Sequence, residues 1–119
     1  MDIGAIKSLA ASGEVEARRK AALSLSGEPP GEVLPVLAGL LGDNNWRVRK
    51  AAVESAIVLP CDKSVPVLIS ALFDPDNAGL RNSAVEALTK IGTPVLPYLY
   101  ETVIEEDPDV KLAIINLFG

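Results

Sequence analysis

Histidine is absent from this 119-residue chain. That removes the commonest general base, the commonest metal ligand, and every Ser–His or Cys–His nucleophile pair. Cysteine occurs once, at Cys61, so there is no internal disulfide, and a single thiol fits a reducing, cytoplasmic location. Aromatic residues make up 4% of the chain. The core therefore has to come from Ala, Val, Ile and Leu, a composition suited to close helix–helix contact. No Gly-rich phosphate loop is present. No apolar run approaches the ~20 residues that span a bilayer. The start, Met1-Asp2-Ile3-Gly4-Ala5, has an early acid and lacks the apolar stretch of a signal peptide.

What the chain does contain is apolar and acidic. Hydrophobic residues are 49% of the total and the net charge is −5, so the composition is that of a folded protein of one domain. The charge is unevenly spread: residues 1–60 hold seven basic and seven acidic side chains, residues 61–119 four and nine. An acidic balance argues against general nucleic-acid binding.

Three segments coincide when shifted by 31 residues: Pro35-Val36-Leu37, Pro66-Val67-Leu68 and Pro97-Tyr98-Leu99, each with an acid eight residues after the proline, at Asp43, Asp74 and Glu105. A second series follows: Arg18, Ala21, Ala22, Leu25; Arg49, Ala52, Val53, Ala56; Arg81, Ala84, Val85, Leu88; Lys111, Ile114, Ile115, Phe118. A repeat of this length predicts a stack of small units rather than a globule around one pocket. Each unit reads as two helices. The first helices are expected near 3–11, 32–42, 63–73 and 94–105, the second near 13–26, 45–59, 76–91 and 108–118. Val33, Leu34, Leu37, Leu40 and Leu41 form a helical stripe, repeated by Val65, Leu68, Ile69, Leu72 and Phe73. Ser12, Asp43 and Asp74 are expected to cap the second helices, and the prolines at 35, 66 and 97 to bend the first. The units run over about 1–30, 31–61, 62–92 and 93–119, with one inserted residue, Gly79 or a neighbour, in the third.

Proline, an acid eight residues on, then Val-Arg or Leu-Arg, resembles the HEAT repeat, and more closely the short bacterial HEAT-like units of the phycobilisome-lyase type. The matched positions are Pro35, Asp43, Val48 and Arg49; Pro66, Asp74, Leu80 and Arg81; and Pro97, Glu105, Val110 and Lys111. Gly4, Ser12, Ala17 and Arg18 match less well. The resemblance implies an all-α superhelix, or armadillo-like solenoid, of about four two-helix units in a single domain over 1–119. It also implies a structural ladder in which Asp43 and Asp74 pair with Arg49 and Arg81, within and between units. A guanidinium has the geometry to bridge a carboxylate and a helix-end carbonyl together.

The remaining candidates are features that do not repeat. Cys61 reads as a small turn residue, with no histidine nearby to activate it. Glu101, Glu105, Glu106, Asp107 and Asp109 read as a solvated acidic edge rather than a calcium loop. Arg18-Arg19-Lys20 and Arg47-Arg49-Lys50 form two basic clusters one repeat apart, but the strip ends at Asn82, so nucleic-acid binding is disfavoured. Trp46, the single tryptophan, is either a packing plug or a binding anchor. The last helix, 108–118, is apolar on nearly all faces and expects burial, by self-association or against a partner.

Helical spacing points Glu16, Arg19 and Leu23, then Arg47, Lys50 and Glu54, then Gly79, Asn82 and Glu86, then Asp109, Leu112 and Asn116 outward from the second helices. Their residue types vary while the stacking positions stay constant. The expected function is a non-catalytic scaffold holding a protein partner on the concave side through Trp46, Arg47, Lys50, Glu54, Asn82 and Glu86. No cofactor, metal or catalytic residue is expected. The alternatives are a subunit of a bilin lyase/isomerase, implied by the resemblance, and nucleic-acid binding through the basic strip. If the ladder holds the units together, Arg49→Ala lowers the melting temperature more than Lys63→Ala does; equal values in thermal melts would sink it.

Overall fold

The computed structural model describes residues 2–105. Among these, all regular structure is helical: α1 (Ile3–Ala10), α2 (Val15–Ser24), α3 (Pro30–Leu41), α4 (Trp46–Val58), α5 (Cys61–Leu72), α6 (Ala78–Ile91) and α7 (Leu96–Glu105), with 3₁₀ turns at Leu25–Gly27 and Thr93–Val95. Helices pair in chain order, α1 with α2, α3 with α4 and α5 with α6, and successive pairs stack so that α1, α3, α5 and α7 form one layer and α2, α4 and α6 the other. This is an all-α solenoid. The expected helix at 108–118 lies outside the described residues, and with it the C-terminal surface expected to self-associate.

The apolar stripes of the first helices face the stack. Val33, Leu37, Leu40 and Leu41 of α3 are buried, as are Val65, Leu68 and Ile69 of α5. A fully buried leucine such as Leu37 is worth about 1.5–3 kcal/mol relative to exposure. The second helices bury smaller groups: Ala21 and Ala22 of α2; Ala51, Ala52, Ser55 and Ala56 of α4; Ser83, Ala84 and Ala87 of α6. Short side chains let these backbones approach. The hydroxyl of Ser55 then donates to the carbonyl of Ala22 in the preceding unit, and that of Ser83 to the carbonyl of Leu41, 2.8 Å away at the end of α3. Val85 sits in the register of the buried Ala22 and Val53 but is 40% exposed, because α6 has a second-layer neighbour, α4, on only one side among the described residues.

Boundaries differ from expectation where turn chemistry takes over. Ser12, Asp43 and Asp74 do not cap the second helices. Their side-chain oxygens accept the amides of Glu14, Asn45 and Asp76, two residues on, at 2.9–3.0 Å. Such turns occupy the residues between the acid and the helix. The caps are Asn45, whose oxygen accepts the Arg47 amide, and Asn77, which accepts that of Leu80, both at 2.9 Å. The second helices therefore start one or two residues later than the periodicity suggests. Pro35 and Pro66 lie inside α3 and α5, which continue through them, and their rings are exposed. Pro97 behaves differently. Gly92, at φ 76°, breaks the chain in a conformation that glycine tolerates, a 3₁₀ turn follows, and Pro97 becomes the second residue of α7.

The joint between the second and third units depends on Asn77. Besides capping α6, its amide donates to the carbonyl of Gly42, the residue that closes α3, at 3.0 Å. A Cβ at Gly42 would sit 2.7 Å from that amide nitrogen. Gly42→Ala therefore displaces a side chain held at both ends. In urea unfolding it costs about 1–2 kcal/mol, the worth of a cap plus a hydrogen bond. Most of that cost disappears when it is made in an Asn77→Ala background, since the two changes share one contact.

Candidate functional site

The acid and arginine positions line the seam between units. The Arg18 guanidinium reaches across to the next unit, with Nε 2.8 Å from Asp43 Oδ2 and Nη2 3.3 Å from Asp43 Oδ1, while Nη1 donates to the Ser12 carbonyl at 3.0 Å. Both side chains are largely shielded, at 14% and 10% exposure. A bidentate, shielded pair of this kind is worth more than a surface ion pair. One guanidinium thus joins a carboxylate of the following unit to a turn carbonyl of its own.

The expected rungs Asp43–Arg49 and Asp74–Arg81 take a different form. Arg49 donates to the backbone carbonyl of Asp43, and Arg81 to that of Asp74, each at 2.6 Å. Among the described residues no carboxylate pairs with either arginine. Asp74 is occupied by the amides of Asp76 and Asn77. Arg49 instead runs along the start of α6, where a Cβ at Gly79 would lie 3.2 Å from its Cδ and 3.3 Å from its Nε. At this joint Arg49 passes over a glycine in place of meeting a carboxylate. Arg18 was the rung that sequence reasoning left out. Its register with Arg49 and Arg81 was the available signal, but the weak match of the first unit obscured it.

The outward positions form a second, separate set. Arg47, Lys50 and Glu54 on α4 and Asn82 and Glu86 on α6 are all exposed, as are Glu16 and Leu23 on α2. Trp46, the first residue of α4, is 61% exposed, which removes the packing-plug reading. Their charges interleave across helices. Arg19 hydrogen-bonds Glu16 at 2.8 Å, and that bond holds the Glu16 carboxyl below its ordinary range, with weaker help from the charges of Arg19, Arg47 and Lys20. Glu16 also holds the Arg19 guanidinium above its ordinary range, with a smaller contribution from Glu54. Glu86 pairs along α6 with Lys90 at 3.0 Å. These bonds lie at the surface and contribute little to stability. The charges of Arg47 and Glu54 on α4 also act on Glu16 and Arg19 of α2, so the exposed charges of the two helices lie within electrostatic reach of one another.

Other sequence candidates stay apart from this face. Cys61 is the first residue of α5 and packs half-buried against the core. Shallow grooves of roughly 320 and 380 Å³ recur between first helices, beside Pro35 and Asp43 and beside Pro66 and Asp74. Among the described residues no helix is long and apolar enough to cross a membrane. Residues 33–57, covering most of α3 and α4, match the family model of the HEAT repeat. The match is to the repeat itself and does not single out the phycobilisome-lyase type. No curated protein and no solved structure matches the chain.

Proton titration followed by NMR checks the face. Glu16 is expected to titrate below an ordinary glutamate, Arg19→Ala to remove most of that depression and Arg47→Ala a smaller part. Because the folded-state value is the lowered one, any stability from Glu16 is complete above its unfolded-state value and is lost as pH falls through the folded one.

Proposed function

We propose, the chain being a HEAT-like repeat protein and HEAT repeats generally mediating protein–protein interaction, that it is a non-catalytic scaffold whose second-helix layer holds a protein partner. The single domain spans 1–119. The second helices bury mostly Ala and Ser and the first helices mostly Leu, Ile and Val, which fits wedge-shaped units. Such wedges stack into a curved slab with the second helices on the concave side.

The observation that carries this reading is the split on α4 and α6. Ala52, Val53, Ala56, Ala84 and Leu88 are buried, whereas Arg47, Lys50, Glu54, Asn82 and Glu86 on the same helices are exposed. Stacking constrains the first group and leaves the second free to vary with the partner. The face is built on packed helices, so binding requires little ordering of the scaffold, which lowers the entropic cost of association.

The test is a pull-down from native cells with quantitative mass spectrometry. Proteins retained by the unmodified chain are expected to fall about tenfold with Lys50→Glu/Glu86→Lys. They should be unaffected by Lys63→Glu/Asp62→Lys, which swaps charges on the exposed start of α5 in the other layer. Equal retention by all three chains refutes the face.

A further inference from the structure

One end of this face carries cations that the chain itself leaves unpaired. Among the described residues Arg19 is bound to Glu16, but Lys20, Arg47 and Lys50 have no ion pair and no side-chain hydrogen bond. All three are exposed, in a protein whose net charge is −5. Trp46, 61% exposed, opens the same helix as Arg47 and Lys50. Lys50 lies four residues on from Trp46 and three on from Arg47, so the three side chains share one strip of α4. An exposed tryptophan flanked by unpaired cations joins an apolar anchor to a charge that demands its opposite.

We infer that the α2–α4 end of the face binds a short acidic segment of a protein partner, its carboxylates meeting Arg47, Lys50 and Lys20 and an apolar side chain covering Trp46. This rests on the reading of the second-helix layer as the binding face. A nucleic acid fits less well. Glu16 and Glu54 are interleaved with the cations, and a phosphate backbone, charged at every step, would run over both carboxylates. A peptide places its acids selectively and sets donors opposite Glu54.

Trp46 is the single tryptophan, so its emission reports occupancy of this spot. The probes are three pools of short synthetic peptides rich in Asp/Glu, in Asn/Gln or in Lys/Arg, each containing one Leu or Phe, and a single-stranded DNA oligonucleotide matched in charge to the acidic pool. Every probe carries a label for anisotropy. The acidic pool is expected to bind tightest, shift Trp46 emission to the blue and weaken with salt. Arg47→Glu/Lys50→Glu should weaken it by about tenfold, and Lys7→Glu/Lys63→Glu, the same change of net charge on the first-helix layer, should not. Binding by no pool, or a preference for the oligonucleotide, overturns the inference. A neutral or basic pool that binds best, shifts Trp46 and responds to the α4 substitutions overturns the acidic partner but keeps the face. Acidic binding that leaves Trp46 emission unchanged and survives the α4 reversal defeats the face itself.

Discussion

Everything in this molecule depends on how closely the second helices approach one another. Ala21, Ala22, Ala51, Ala52, Ala56, Ala84 and Ala87 are the buried alanines of α2, α4 and α6, helices that pack directly on one another, and none has a side chain long enough to hold backbones apart. At that separation the Ser55 hydroxyl spans the gap from α4 to α2, while Ser83 of α6 reaches the end of α3. Ser55 and Ser83 each find a carbonyl in the preceding unit, satisfying a polar group that burial would otherwise leave costly. Larger residues here would separate the layer and break those bonds. Smaller ones are hardly available.

The joints between units carry a second layer of specification, and it is not uniform. Arg18 clamps a carboxylate of the next unit. Arg49, in the same register, passes over Gly79 and leaves Asp74 to organise its own turn, while Asn77 ties Gly42 to the start of α6. The two joints reach the same stacking with different hydrogen bonds, since each must satisfy the orphan groups at a helix end. Among the described residues the acid is thus first a turn former and only at Asp43 an ion-pair partner. Its recurrence in the sequence reflects the turn more than the pair.

Because stacking uses one face of each second helix, the opposite face is free of structural duty. Arg47, Lys50, Glu54, Asn82 and Glu86 lie there, interleaved in charge with Glu16 and Arg19. On the reading proposed above, this packed layer with its exposed polar side chains serves recognition. Trp46 adds the apolar element that charge alone lacks.

The sequence by itself determined the number, order and pairing of the described helices, since a 31-residue period and a helical stripe are properties of spacing alone. The same spacing told buried Val53 from exposed Glu54, because neighbours on a helix point about 100° apart. Tertiary structure decided what depends on contacts distant in sequence. Arg18 meets Asp43 across 25 residues and Asn77 meets Gly42 across 35, and no local pattern specifies either. The exposure of Trp46 belongs to the same class. An aromatic at a helix start has the same local signature packed or bare, and only the position of neighbouring chain leaves its indole in solvent.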